Sequence, residues 1–199
     1  MYTLYYKPHA CSLATHTILN LLDIPVKAID KDKVDNFTEI NPVGVVPVLK
    51  DGDKIVREGV AVILYLLDKH PNPLIAPRGE AREQAIENML LANATMHPAY
   101  SRLFFLSGTI NDETVKQDAL NTAALAINQL WEVVEQRLGS KPFLGGEAVS
   151  PADILLTVYS RWGQFFPVDI VIGEKTQHMI QRVMEMAAFR DALEQQETS

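Results

Sequence analysis

The most informative segment of this sequence is Asn41-Pro42-Val43-Gly44-Val45-Val46-Pro47-Val48-Leu49. Proline cannot donate to a β-ladder, so Pro47 between two valines indicates either an edge strand or a special turn. A cis Val46–Pro47 bond would make such a turn. It would direct the backbone N–H and C=O of Val46 outward, where an extended peptide can pair with them. The alternative is an edge-strand proline without a ligand, and this segment alone does not separate the two.

Strand and helix patterns alternate around this segment. Short apolar runs at residues 3–6, 26–29, 45–49 and 54–56 predict four strands. Apolar residues at helical spacing predict helices after the first strand, around residues 35–40 and over residues 59–68. Asp51-Gly52-Asp53 predicts a hairpin between the last two strands. The order β-α-β, α, β-β-α predicts an α/β domain with a mixed four-stranded sheet.

The second half of the chain has a different texture. Residues 70–79 are rich in proline and predict a linker. Beyond them, residues 82–107, 113–138, 151–164 and 175–195 show helical periodicity without a convincing strand. We therefore predict an α/β domain over residues 1–72, a linker over 73–82 and an all-α helical bundle over 83–199.

The composition argues against several classes of function. The 199 residues carry a formal net charge of −7 and a sequence pI near 5.2, and such an acidic surface repels nucleic acids and anionic lipids. The sequence lacks a signal-peptide core and a membrane-spanning apolar run, so we expect a cytoplasmic protein without membrane contact. The single cysteine, Cys11, excludes an internal disulfide and a multi-thiolate metal site, and we expect no metal.

Two further motifs point to a binding site. Cys11-Ser12 follows a strand and a turn, and the N-terminus of the next helix is expected to lower the pKa of the thiol. The alternative is a small buried hydrophobic residue, which a lone cysteine usually is. Glu58-Gly59 opens a later helix, where backbone N–H groups can hold a carboxylate and Glu58 can accept from an ammonium group. The alternative for Glu58 is simple complementarity to the helix dipole.

Taken together, these motifs resemble a known family. Leu4-Tyr5-Tyr6-Lys7-Pro8-His9-Ala10-Cys11-Ser12-Leu13, the Val46-Pro47 segment and the Glu58-Gly59 helix look like bacterial beta-class glutathione transferases. Ser150-Pro151-Ala152-Asp153 resembles that family's buried capping box, and it has the spacing of one. The resemblance covers nearly the whole chain and implies a thioredoxin-like N-terminal domain followed by the helical bundle.

The resemblance implies where glutathione, as co-substrate, would bind. Val46 would pair with its backbone, Pro47 would supply the cis bend, and Glu58 with Gly59 would contact the γ-glutamyl end. Only the N–H of Gly59 can contribute there, whereas many relatives have serine at this point. The sulfur of glutathione would lie near Cys11.

The resemblance also implies a set of catalytic residues and the remaining contacts. Cys11 would be catalytic, Ser12 a second donor, and His97 would lie near the glutathione sulfur. Lys33 is the predicted ligand of the glycyl carboxylate, although Lys31 is also plausible. Asn93 is expected to reach the glutathione of a neighbouring subunit in a homodimer.

Several functions stay open at this point. The first is conjugation of glutathione to small hydrophobic electrophiles, as in detoxification. The second is thiol-disulfide exchange or a glutathione peroxidase-type activity, with Cys11 forming the mixed disulfide. The third is a non-catalytic binding or regulatory protein that retains the fold. The residues expected between the domains around the electrophile are aromatic, namely Trp162, Phe165 and Phe166, but aromatics at this spacing are more often core.

Overall fold

The computed structural model describes residues 1–198. Its first half contains four strands, β1 (Tyr2–Tyr6), β2 (Val26–Asp30), β3 (Val48–Asp51) and β4 (Lys54–Arg57). Three helices belong to the same half: α1 (Ser12–Leu21), α2 (Phe37–Ile40) and α3 (Gly59–Lys69). Six further helices make up the second half: α4 (Glu80–Leu90), α5 (His97–Thr109), α6 (Glu113–Leu138), α7 (Pro151–Ser160), α8 (Glu174–Glu185) and α9 (Ala187–Thr198).

The four strands form one mixed sheet in the order β2-β1-β3-β4. β1 runs parallel to β2 and antiparallel to β3, and β3 and β4 form the hairpin. The predicted fold class is therefore confirmed: a thioredoxin-like α/β half is followed by a helical half. β3 begins at Val48, so residues 45–47 lie before the strand, where their backbone is free to face a cavity.

Both faces of the sheet are covered, which buries Tyr5 and Tyr6 together. On one face Leu4 and Leu49 pack against Leu19 and other residues of α1 and α3. On the other face the ring of Tyr5 packs near Phe37. Alternating residues of a strand lie on opposite faces, and both tyrosines are buried because the sheet is covered on both sides.

A single apolar core joins α1 and α3 to the helical half. It includes Leu13 and Ile63 from the first half and Met96 and Trp131 from the second, all fully or almost fully buried. The Trp131 indole N–H donates to the buried hydroxyl of Tyr100 over 2.9 Å, which satisfies both polar groups. The proposed boundaries at residues 72 and 83 stay a prediction.

The first long helix of the second half is not uniform. Between α4 and α5 the chain forms a π-helical segment, Leu91–Met96, in which the His97 N–H bonds to the Ala92 carbonyl. Pro98 follows directly and explains it, because proline has no N–H for the α-helical bond and its ring crowds the carbonyl four residues earlier. Among residues 1–198, none of the helices combines the length and the apolar character that crossing a bilayer requires.

Two carboxylates, buried Asp153 and partly exposed Glu135, fix the starts of α7 and α8. Asp153 accepts hydrogen bonds from the Ser150 N–H, the Ser150 hydroxyl and the Leu144 N–H at 2.6–2.8 Å, so the predicted capping box is present. Glu135 of α6 accepts from the Thr176 N–H and hydroxyl at 2.8 and 2.6 Å at the start of α8. These bonds satisfy backbone donors that a helix leaves unpaired.

Candidate active site

A cavity of about 780 Å³ lies where the sheet edge of the first half meets the helical half. One wall is formed by the loop before α1, the Val46-Pro47 turn and the start of α3. The other is formed by the π-helical segment, α5 and the short 3₁₀ turn Arg161–Phe165 after α7. The structure brings together six of the predicted site residues here: Cys11, Val46, Pro47, Glu58, Gly59 and His97.

Cys11 lies immediately before α1, and its half-buried thiol donates a hydrogen bond to the Val46 carbonyl over 3.3 Å. The prediction of a lowered pKa was wrong. Burial raises the pKa of the Cys11 thiol to about 11, the backbone N–H groups of Cys11 and Ser12 oppose this only in part, and the charge of Glu58 raises the pKa further. At neutral pH the free protein therefore holds Cys11 as a protonated hydrogen-bond donor.

The Val46–Pro47 peptide is cis, as the sequence predicted. The Val46 side chain is buried. The main-chain carbonyl of Val46 accepts a hydrogen bond from the Cys11 thiol, and within residues 1–198 the main-chain N–H of Val46 has no backbone partner. This leaves one main-chain donor available at the cavity wall, next to an acceptor with a second lone pair.

Glu58 and Gly59 lie at the start of α3. Glu58 has a left-handed φ of +69°, a conformation that costs a non-glycine residue about 1–3 kcal/mol. Its neighbour Arg57 donates two hydrogen bonds to the Ile40 carbonyl, at 3.0 and 2.6 Å, and so fixes the chain before the turn. The exposed carboxylate of Glu58 therefore borders the cavity beside the free N–H groups of the first turn of α3.

His97 is the first residue of α5, and its ring lies edge-on to two aromatic rings. The centroid distances are 5.2 Å to Tyr159 and 5.1 Å to Trp162. Burial lowers the pKa of His97, so the imidazole is neutral at pH 7. A neutral imidazole can both donate and accept a hydrogen bond, and it can take up a proton.

Ser12 does not have the catalytic position that the sequence predicted. Its side chain is fully buried, and its hydroxyl donates to the Lys7 carbonyl and accepts from the Lys7 N–H, each over 3.3 Å. The hydroxyl therefore fixes the shape of the loop between β1 and α1. The first turn of α1 points position 12 into the protein and position 11 toward the cavity.

Lys33 does not have the predicted position at the glycyl end either. Lys33 is exposed away from the cavity, whereas Lys31 and Lys7 line it. Asp32 lies between these two and pairs with the ammonium groups of Lys7 at 2.6 Å and Lys31 at 3.2 Å. Residues 31–33 form a single 3₁₀ turn that separates neighbouring side chains. The site therefore has a pair of cations at this end, which the sequence alone did not distinguish.

Aromatic residues form the outer wall of the cavity. Phe104 and Phe165 line it and are 45% and 47% exposed, and Trp162 lines it between them. Phe166 does not line it and packs behind, 4.7 Å from the Phe104 ring between centroids. The Trp162 indole N–H donates to the His9 carbonyl over 2.8 Å, so the helical half holds the loop that carries Cys11.

Asn93 and Tyr159 extend the site, and the contribution of Tyr159 was not predicted. Asn93 lies in the π-helical segment and lines this chain's own cavity, and its expected contact with a neighbouring subunit's glutathione stays a prediction. Tyr159 of α7 is fully buried and donates to the Asn93 side-chain oxygen over 3.2 Å. Pro98 signalled an irregular helix, but nothing in the sequence indicated that Tyr159 reaches Asn93. In residues 1–198 no three His, Cys, Asp or Glu side chains are grouped as metal ligands would be.

These features define a protein with a thioredoxin-like half, a helical half and a cysteine-containing cavity between them. Residues 14–74 match the family model described as glutathione S-transferase, N-terminal domain. The chain is 28% identical to glutathione S-transferase GST-4.5 of Xanthomonas campestris pv. campestris over 197 residues, which cover 96% of this chain and 97% of the relative. The chain is therefore similar to glutathione S-transferases over nearly its whole length, and its thioredoxin-like half matches the model of their N-terminal domain.

Solved structures of bacterial members have the same architecture. The bacterial beta-class glutathione S-transferase of Sphingomonas chungbukensis superposes with a TM-score of 0.84 at 25% identity, covering 99% of this chain and 100% of that one. A sphingomonad glutathione S-transferase complexed with glutathione also gives a TM-score of 0.84, at 24% identity and with the same coverage. The overall fold of the chain is therefore that of bacterial family members.

Proposed function

We propose that this protein is a glutathione transferase that conjugates glutathione to small hydrophobic electrophiles in the cavity beside Cys11. The observation that carries the proposal is a convergence of three features in one cavity. These are the Cys11 thiol, the free N–H of Val46 and the start of α3 with Glu58. Each matches one part of an extended peptide that has a central thiol and an amino-acid end. Family members bind glutathione, and one relative is known as a glutathione complex.

In the proposed complex, glutathione lies extended from Lys31 to Gly59. The backbone of its cysteinyl residue pairs with the N–H and C=O of Val46 as an added strand. Its γ-glutamyl carboxylate takes the N–H groups at the start of α3, and its ammonium group pairs with Glu58. Its glycyl carboxylate meets the ammonium group of Lys31, which replaces Lys33 in this role.

The raised pKa of Cys11 favours the glutathione sulfur as the nucleophile. A protonated Cys11 thiol can donate a hydrogen bond to a glutathione thiolate and stabilise it for attack on an electrophilic carbon. Neutral His97 can take up the proton that the glutathione thiol loses, or donate to the thiolate. Pairing of the ligand's ammonium group with Glu58 also offsets the charge that raises the pKa of Cys11.

The exposed rings at the outer wall support an apolar second substrate. Phe104, Trp162 and Phe165 present aromatic surface to the part of the cavity beyond Cys11. An apolar electrophile gains about 25 cal/mol per Å² by burying its surface there. The proposal also includes a cytoplasmic homodimer, and exposed Leu90 on α4 supports an apolar contact surface on that helix.

The second candidate is thiol-disulfide exchange through Cys11. It is supported by the position of the thiol in the cavity wall, but it requires a Cys11 thiolate. In the free protein the thiol is protonated, so exchange becomes favourable only if bound glutathione lowers the pKa of Cys11. Conjugation is therefore the better-supported activity.

The test compares 1-chloro-2,4-dinitrobenzene with 2-hydroxyethyl disulfide as second substrates. Cys11→Ala is expected to lower kcat/KM for conjugation by about 10- to 100-fold, the value of a hydrogen bond to a charged group. Cys11→Ser keeps a donor and is expected to retain more conjugation activity, whereas both variants should abolish disulfide exchange. His97→Ala should reduce conjugation, and His178→Ala, on the exposed surface of α8, serves as the matched control.

Wild-type protein that neither binds glutathione in calorimetry nor turns over either substrate would remove the enzymatic proposal. The remaining alternative would then be a non-catalytic binding or regulatory protein with this fold. Wild-type protein that is active with the disulfide alone, and inactive in both Cys11 variants, would favour exchange over conjugation.

A further inference from the structure

The turn between β1 and α1 places a histidine where the backbone favours glycine. The Ala10 N–H donates to the Lys7 carbonyl over 3.1 Å and closes the turn. Pro8 takes the second position of this turn, and His9 takes the third with a φ of +63°. A proline followed by a positive φ is typical of a type II turn, which favours glycine or asparagine in the third position. Strain of this kind on other residues is concentrated at functional sites.

The side chain of His9 is not used by the proposed binding mode. Among residues 1–198, four non-glycine residues have a positive φ, and two of them, His9 and Glu58, line the cavity. Glu58 has a role in binding glutathione, whereas His9 has none. The His9 ring lies edge-on to the ring of Phe165, with 6.0 Å between centroids. In the same part of the chain no hydrogen bond or ion pair involves the imidazole of His9.

The helical half fixes the position of this imidazole. The Trp162 indole N–H donates to the main-chain carbonyl of His9 over 2.8 Å, so the strained residue is held from the opposite wall. His9 precedes Cys11 by two residues, and their Cα atoms are therefore at most about 7 Å apart. The imidazole borders the part of the cavity in which Phe104 and Phe165 present their rings. It is therefore close to any molecule that reacts beside the Cys11 thiol.

Two other donors of the outer wall already have partners. The Ser101 hydroxyl donates to the His97 carbonyl over 3.0 Å, and the Trp162 N–H is used by His9. An imidazole carries at least one N–H whether it is neutral or protonated. The His9 side chain therefore offers a donor beside the aromatic wall that the fold itself does not use.

We infer that His9 is a specificity-determining residue of the electrophile site, and that its imidazole donates a hydrogen bond to an oxygen conjugated with the reacting carbon of the electrophile. This inference rests on the proposed function. The aromatic wall would bind the apolar part of such a molecule, and a single polar group in an apolar pocket fixes the orientation of a ligand. The preferred substrate is then an apolar α,β-unsaturated carbonyl compound rather than an alkyl halide.

The addition of glutathione to such a compound develops negative charge on the oxygen that His9 contacts. The thiolate sulfur forms a bond to the β-carbon, and the π electron pair of the carbon–carbon double bond moves onto the carbonyl oxygen. The His9 N–H stabilises this oxygen more strongly in the transition state than in the bound substrate. The proton that the thiol lost then returns to the α-carbon. The addition needs no oxidant and releases no leaving group.

The test compares benzylideneacetone with benzyl bromide, because both have a phenyl ring and only the first has the oxygen. His9→Gly removes the imidazole and suits the backbone of the turn, so this variant should fold. It should lower kcat/KM for benzylideneacetone by about tenfold, the value of one hydrogen bond to a charged group. The value for benzyl bromide should change by less than about twofold. His9→Asn tolerates the same φ, keeps an N–H donor and should give an intermediate value for benzylideneacetone.

Asn36→Gly is the matched control for the change in the backbone. Asn36 is exposed, has a φ of +55° and does not line the cavity, so this substitution should leave kcat/KM for both substrates unchanged. Calorimetry should give the same Kd for glutathione in the wild type and in His9→Gly, since the imidazole contacts the second substrate. Urea unfolding of each variant would verify that it is folded.

Three outcomes would overturn the inference while leaving the proposed function in place. The first is an equal effect of His9→Gly on both substrates, including no effect on either. The second is weaker binding of glutathione by His9→Gly, which would assign the imidazole to the glutathione site. The third is wild-type protein that conjugates benzyl bromide and does not conjugate benzylideneacetone. Absence of glutathione binding by the wild type would instead remove the proposed function itself.

Discussion

The thiol of Cys11 donates to the carbonyl oxygen of Val46 over 3.3 Å, so the only sulfhydryl of the chain is tied to the main chain of the turn that faces the cavity. A thiol in this state reacts slowly with electrophiles, because the thiolate is the nucleophile. The protonation state of the Cys11 thiol before glutathione binds can therefore be tested by its reactivity.

We expect alkylation of the free protein by iodoacetamide to rise steadily with pH and to show no plateau below pH 9, because burial raises the pKa of Cys11 to about 11. Glu58→Gln should move the profile to lower pH, since the charge of Glu58 raises the same pKa. Cys11→Ala is the blank. A plateau near neutral pH would show that Cys11 is a thiolate in the free protein.

Lys31 is expected to bind the glycyl carboxylate, and Lys33 is not. Lys31→Met should raise the Kd for glutathione by about tenfold, the value of a charge-assisted hydrogen bond. Lys33→Met removes the same charge two residues away, outside the cavity, and should change the Kd little. Equal effects of the two substitutions would indicate long-range electrostatic attraction rather than a direct contact between Lys31 and the glycyl carboxylate. Calorimetry at two salt concentrations would distinguish these explanations.

Glu135 is expected to stabilise the protein by capping α8 from α6. Glu135→Ala should lower the free energy of unfolding by about 1–2 kcal/mol at pH 7, as loss of a helix cap does. Although burial acts to raise the pKa of Glu135, hydrogen bonds from Thr176 and Lys175 outweigh it and hold this pKa below its usual value. The stabilisation is therefore present above the unfolded-state pKa and is lost as the pH falls through the lower folded-state pKa.

Urea unfolding of Glu135→Ala at pH 7 and at pH 3 would check this expectation. Glu132→Ala, at an exposed position one turn earlier on α6, is the control and should change the free energy of unfolding little at either pH. A difference between wild type and Glu135→Ala that stays constant over this range would contradict the electrostatic part of the explanation.

His16 is expected to make the protein less stable as the medium becomes acidic. It is fully buried on α1, where its ring nitrogen Nδ1 bonds to the Gln196 side chain of α9 over 3.2 Å. Burial lowers the pKa of His16, and a hydrogen bond with the Gln195 side chain opposes this in part. The unfolded chain therefore takes up a proton before the folded one. Stability is fully present above the unfolded-state pKa of 6.5 and falls as the pH decreases through the lower folded-state value.

One such group changes the free energy of unfolding by at most about 1.4 kcal/mol per pH unit. His16→Asn should remove this contribution from urea-unfolding curves between pH 7.5 and 5.5, and His178→Gln on the exposed face of α8 should leave it in place. Identical pH slopes in wild type and His16→Asn would show that the buried ring is not the group that titrates.

The sequence predicted the features that depend on neighbouring residues. The order of strands and helices along the first half of the chain, the Asp51-Gly52-Asp53 hairpin and the Ser150–Asp153 capping box were confirmed, because each follows from local backbone chemistry. The cis Val46–Pro47 bond was also confirmed, although the segment alone had left it open and the family resemblance had implied it. The position of Cys11 at the start of α1 was also predictable from a strand, a turn and a helix in succession.

What the sequence did not reveal depends on residues that are distant along the chain. The pKa of Cys11 is set by burial and by Glu58, which lies 47 residues away, so a helix-dipole argument from the local pattern predicted the wrong direction. Choosing Lys31 over Lys33 requires the direction of each side chain in a single 3₁₀ turn. The pairing of Asn93 with Tyr159 joins residues 66 positions apart and has no local signature.

The hydrogen bond from the Trp162 indole to the His9 carbonyl has a consequence for how such a protein can diverge. Because the helical half fixes the loop that carries the cysteine, the two halves are not interchangeable parts. A chimera that combined the first 72 residues of this chain with the bundle of a relative lacking that indole would keep Cys11, Val46 and Glu58 and lose the loop's anchor. Recombination between family members is thus constrained at a residue remote from the thiol in the chain.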